Sequence, residues 1–136
     1  MNRYASVAAL IALAGALAAC DRTTSPKGGM EATFDLKSIN GTSLPYTKTL
    51  GTATLRITSD VLVLHNDGSY EDSTTYGVPN GASLQLSTTI ERGTYSASGG
   101  RITFTSKTTG GRYSGSLDGT TLTESVNGRT PIYERR

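Results

Sequence analysis

One histidine and one cysteine are all the soft-ligand and near-neutral acid–base chemistry that this 136-residue chain carries. His65 stands directly before Asn66-Asp67-Gly68, a turn sequence. General-base catalysis there would need a nucleophile on one side of the imidazole and an orienting group on the other. Only Asp67 is near, and no Gly-x-Ser-x-Gly elbow occurs anywhere in the chain. His65 therefore reads as a solvated turn residue. Glu71 and Asp72 are the obvious carboxylate couple, yet adjacent residues of a strand point to opposite faces, so they cannot form a paired acid site and read as surface charges. One His, one Cys and scattered carboxylates match no metal-ligand spacing. Gly99-Gly100 and Gly110-Gly111 have no helix after them to bind phosphate. Asn40-Gly41-Thr42 fits a glycosylation acceptor but reads as a turn. The expectation is no catalytic residue, no metal and no cofactor: a protein that is not an enzyme.

Cys20 is the remaining reactive group, and its setting is informative. Met-Asn-Arg-Tyr forms a short positive head, residues 7–19 are an apolar run ending in Leu17-Ala18-Ala19, and Cys20 follows at once. This is the layout of an export signal. The run is short of the ~20 apolar residues that a spanning helix needs. As the only cysteine, Cys20 can form no internal disulfide, and a lone exported thiol would be left to oxidise or cross-link. Leu17-Ala18-Ala19-Cys20 resembles the bacterial lipobox, which implies cleavage before Cys20 and a lipid on its sulfur. Several acyl tails, at ~0.8 kcal/mol per buried methylene, make such an anchor effectively permanent. The expected organisation is a lipoprotein signal peptide over residues 1–19, the lipidated Cys20 with a polar tether to residue 29, and one domain over residues 30–136. Extended, the tether reaches about 30 Å at ~3.3 Å per residue. The expected location is the bacterial cell envelope, anchored to a membrane. Asp21 resembles an inner-membrane retention signal in some lineages, which leaves the leaflet open.

Elements that could position any site come next. Hydrophobic content of 35% with 16 Gly and no Trp, rich in Ser and Thr after residue 30, suits short strands and tight turns rather than a helical bundle. Glu91 to Ser106 reads as a β-hairpin: Tyr95 and Ala97 face one way, Ile102 and Phe104 answer them, and Ser98-Gly99-Gly100 turns the chain. Ala32, Phe34 and Leu36 mark a half-buried first strand; Ala53, Leu55 and Ile57 mark another. Residues 61–64 are apolar on both faces, as expected of a strand that is either covered twice or lies where a barrel closes on a neighbouring loop. Leu84 and Leu86 open a long strand with a bulge expected at Gly93. In all, eight or nine antiparallel strands form an up-and-down meander, and closure into a barrel disposes of its edges. The net charge of +2 falls by one with the loss of Arg3, and no basic cluster exists, which argues against nucleic acid as a partner.

Phe34-Asp35-Leu36-Lys37-Ser38-Ile39-Asn40-Gly41-Thr42-Ser43-Leu44-Pro45, Gly93-Thr94-Tyr95-Ser96, Ile102-Thr103-Phe104 and the closing Tyr133-Glu134-Arg135-Arg136 resemble the bacterial lipocalin-like lipoproteins. The resemblance implies a calycin-type barrel and no particular chemistry. Ala32-Thr33-Phe34 stands where that family has Gly-x-Trp, so Arg135 or Arg136 over Phe34 would be a reduced form of its Trp–Arg packing. An eight-stranded barrel is either filled or holds one small ligand. The expected function is binding of a small hydrophobic molecule at a membrane surface, with Tyr46, Tyr76 and Pro79 at the mouth. The alternative is a filled envelope scaffold that meets another protein.

Overall fold

Turn chemistry divides the chain into strands. Gly99 and Gly100 both have positive φ (59° and 77°), the pairing that lets a two-residue turn follow the twist of its hairpin. In the computed structural model, which describes residues 29–136, ten strands and no helix follow from such turns. They are β1 (Ala32–Ile39), β2 (Thr42–Ser43), β3 (Tyr46–Leu50), β4 (Ala53–Leu64), β5 (Ser69–Asn80), β6 (Ser83–Ser98), β7 (Arg101–Ser106), β8 (Arg112–Asp118), β9 (Thr121–Ser125) and β10 (Pro131–Arg135). The export signal, Cys20 and the tether up to residue 28 lie outside the described residues.

From β4 to β10 each strand pairs with the next, antiparallel, and β10 then pairs with β1. Closure comes from β1 against the C-terminal half of β4, with Ala32 opposite Leu64 and Asp35 opposite Val61. The result is the expected closed eight-stranded barrel of lipocalin-like type. The double apolar face of residues 61–64 follows from this closure: Leu62 and Leu64 point inward and are buried, while Val61 and Val63 lie partly buried outside. β2 and β3 are additions beyond the barrel, pairing with β1 and β4 respectively. The Thr-Lys-Thr centre of β3 offers no core face, so alternation does not reveal it.

One end of the barrel is filled. Phe34, Leu62, Leu64, Tyr70, Ile102, Phe104 and Leu122 are fully buried there, and Phe104 meets Tyr70 edge-on at 5.1 Å and stacks on Tyr113 at 5.0 Å. The hairpin Tyr95↔Phe104 and Ala97↔Ile102 pairs as expected. The Tyr95 hydroxyl closes this end, accepting from the Met30 amide at 2.7 Å and facing the carbonyls of Met30 and His65. Gly93 is not a bulge. It pairs regularly with Tyr70 and Ser106, and the reason for glycine is space: a Cβ would lie 2.1 Å from the Thr105 carbonyl oxygen and 2.7 Å from the Tyr70 ring. The register shifts instead at Leu36/Ser38 and Ile57/Ser59. At the C-terminus, Arg136 takes Asp35 at 2.7 Å and Arg135 donates to the Glu31 carbonyl.

Candidate functional site

The other end of the barrel is not filled. Strand alternation carries the inward face of β5 through Tyr70, Asp72, Thr74 and Tyr76, and Asp72, Thr74 and Tyr76 line a cavity of about 200 Å³. Asp60 enters from β4, in phase with Leu62 and Leu64. Glu91 enters from β6, and Glu124 from β9, in phase with Leu122. Four strands thus send a carboxyl group to one level of the barrel, among the rings of Tyr76, Tyr113 and Tyr133. A second hollow, of about 490 Å³, shares Glu91, Tyr113, Val126 and Asn127 with the first. The shared residues put the second hollow next to the first, beside the β7–β8 turn that contributes Thr109 and Gly111.

The carboxyls differ in how they are held. Glu91 is tied down: its Oε1 accepts from Tyr70 at 2.6 Å and from Tyr113 at 3.0 Å. Asp60 is only 7% exposed; its Oδ2 accepts from Thr74 at 2.9 Å. The Oδ1 atoms of Asp60 and Asp72 are cut off from solvent and meet no N–H or hydroxyl donor among the described residues; the two carboxyls face each other instead, so that a proton held by Asp72 is shared with Asp60. No Lys, Arg or His among the described residues lies within ion-pairing distance of any of the four; the ion pairs that do form involve Asp35, Glu31 and Glu71 on the outside.

Burial with no cation in ion-pairing distance favours the protonated acids. It is the first cause that raises Asp60, with Asp72, Thr74 and Tyr133 pulling the other way. Asp72 is pushed well above the carboxylate range by burial and then by the Asp60 carboxyl beside it. Glu124, 5% exposed, is raised by burial, then by the Asp60 and Glu91 charges, to about 8. Burial likewise raises the phenols of Tyr70, Tyr113 and Tyr133. At neutral pH the empty cavity therefore stores protons.

This corrects the reading of Glu71-Asp72 as surface charges. The two do point to opposite faces, but only Glu71 is outside, bound by Arg92 at 2.8 Å. Asp72 is inside and finds its carboxyl partner across the sheet in Asp60. Asp60, Glu91, Glu124, Tyr113 and Tyr133 were not singled out from the sequence. A signal existed: Asp60-x-Leu62-x-Leu64 and Leu122-x-Glu124 put carboxyls in phase with core residues. Of the expected mouth residues, Tyr76 lines the cavity, Tyr46 packs on the core opposite Ile57 without reaching the lining, and Pro79 is exposed on the distal β5–β6 hairpin, opposite Leu84. His65 sits at the filled end with Nδ1 3.4 Å from Glu31. Among the described residues, no group of three or more His, Cys, Asp or Glu is placed to hold a metal ion. The chain matches no protein-family model, no curated protein and no solved structure.

Proposed function

We propose that the protein is a lipid-anchored binding barrel of the cell envelope that holds a small organic molecule without transforming it. The observation that carries this reading is the unfilled end: a cavity of about 200 Å³ in a barrel whose other end is filled by buried apolar and aromatic side chains. A cavity below the usual ~300–1,000 Å³ suits a compact ligand rather than a long acyl chain. The apolar side of that ligand would meet Leu36, Ile39 and Ile57, and its polar side the hydroxyl and carboxyl groups. Anchoring rests on the signal and lipobox-like residues that end at Cys20.

Two measurements test the two halves. Cys20→Ser should move the protein from the membrane fraction to the soluble one; retention after a high-salt wash would place the anchor elsewhere. A thermal-shift screen of small metabolites should find a stabilising compound, since a ligand at a hundredfold excess over its Kd adds about 2.7 kcal/mol. A barrel that no compound stabilises, and that native mass spectrometry finds empty after purification, would end the binding reading. Envelope scaffolding through a protein partner is the second reading, and the exposed Val78, Leu84, Leu86 and Ile90 of the β5–β6 hairpin favour it.

A further inference from the structure

We propose that the occupant of the cavity is a small organic cation, an amine or amidine on a body about the size of one ring, with its charged nitrogen against Asp60 and Asp72. This rests on the binding reading above and names its ligand class. Three observations converge on it. Four carboxyls line one cavity with no cationic partner among the described residues. Asp60, more than nine-tenths buried, and its neighbour Asp72 each present an Oδ1 that no N–H or hydroxyl of the described residues reaches, and a protonated amine or amidine brings several N–H donors to both in place of the proton they otherwise share. The carboxyls are too dispersed to converge on a bare metal ion, so the positive charge must come on a body large enough to span them. Tyrosine rings in the lining offer that body faces that attract cations. The volume, about 200 Å³, equals roughly six or seven waters at about 30 Å³ each.

Protons compete with such a ligand. The titratable and charged groups that face the cavity are Asp60 from β4, Asp72 and Tyr76 from β5, Glu91 from β6, Tyr113 from β8, Glu124 from β9, Tyr133 from β10 and Arg129 from the β9–β10 connection; β1 brings only Leu36 and Ile39. A cation stabilises the ionised carboxyls, so its arrival expels stored protons. Affinity therefore rises with pH across the range in which Asp72 and Glu124 hold theirs. Arg129 is the one fixed cation of the lining, at the rim, and sets the opposite possibility of an anionic guest.

The test uses the full-length protein in detergent micelles and four probes of one shape: benzylamine and benzamidine as cations, benzyl alcohol as the neutral form and benzoate as the anion. Calorimetry should find at least one cation bound about tenfold or more tightly than benzyl alcohol, with benzoate inert. Binding should weaken about tenfold from roughly pH 8 to roughly pH 6, with proton release on binding. Asp60→Asn and Asp72→Asn should abolish the preference while the melting temperature holds or rises, which separates lost binding from lost fold. Equal binding of benzylamine and benzyl alcohol would overturn the cation and leave the binding barrel standing. Preference for benzoate would do the same in favour of Arg129. If no probe binds and the screen above finds nothing, both readings fall together.

Discussion

Tyr70 joins the two halves of the barrel in one side chain. Its ring makes an edge-to-face contact with Phe104 in the filled end, a ring carbon lies close against Gly93, and its hydroxyl donates to Glu91 at the cavity. Those three contacts predict three different penalties. Phe104→Ala should cost about 3–5 kcal/mol through lost burial and a cavity under three aromatic rings. Tyr70→Phe keeps the packing and removes one of two donors to Glu91, so about 1–2 kcal/mol is expected. Gly93→Ala would drive a methyl into the Thr105 carbonyl and should cost at least ~2 kcal/mol. Chemical denaturation ranks the three; a Gly93→Ala barrel as stable as the parent would show that the wall there can yield. Phe104 was legible as core because apolar residues alternate around it. Asp72 was not, for a physical reason. Alternation assigns an acid to water because burying it charged is costly, and here the acid keeps its proton among hydroxyls and carboxyls from five other strands that no local pattern relates.

At the scale of elements, the β5–β6 hairpin outgrows the barrel that holds it. β6 has 16 residues but only residues 93–98 pair with β7, so residues 83–92 have β5 as their sole strand neighbour. The free stretch Ser-Leu-Gln-Leu-Ser-Thr-Thr-Ile carries no charge and no proline, the usual devices that blunt an edge. Its large side chains face water: Leu86 is 60% exposed. Leu86→Lys should therefore change stability by less than ~0.5 kcal/mol, while Leu62→Ala, on the inward face of β4, should cost about 2–5 kcal/mol. Equal losses in urea melts would mean that the arm folds back onto the barrel. The length of this hairpin was readable from its run of residues between Asn80-Gly81 and Gly99-Gly100. Its projection was not, because projection depends on how soon β7 ends, which is fixed by the turn at residues 107–111.

For the whole molecule, closure of β1 on β4 encloses four carboxyl groups with no cation in ion-pairing distance among the described residues, and this couples stability to pH. A buried acid raised in the folded state binds a proton that the unfolded chain has already released, so unfolding becomes easier as pH rises through that interval. For Glu124 the interval runs from the ordinary 4.5 to about 8, and Asp60 and Asp72 act with the same sign. Asp35, held low mainly by its hydrogen bond to Arg136, acts oppositely, but only below its ordinary 3.8. Stability of the empty barrel should therefore peak near about pH 4–5, fall on the acid side as Asp35 is protonated, and fall further on the alkaline side as the interior ionises. Glu124 alone makes the alkaline fall on the order of 3–5 kcal/mol, or at least ~10 °C in Tm for a domain of this size. Glu124→Gln replaces the protonated acid by a neutral isostere and should flatten the curve between about pH 5 and about pH 8 while leaving the acid limb in place. Differential scanning calorimetry across that range decides the matter: parallel curves for the parent and Glu124→Gln would mean that Glu124 is solvated and titrates as an ordinary carboxylate. A small cation bound at Asp60 and Asp72 should reduce the same alkaline fall in the parent, because it favours the ionised state that burial opposes.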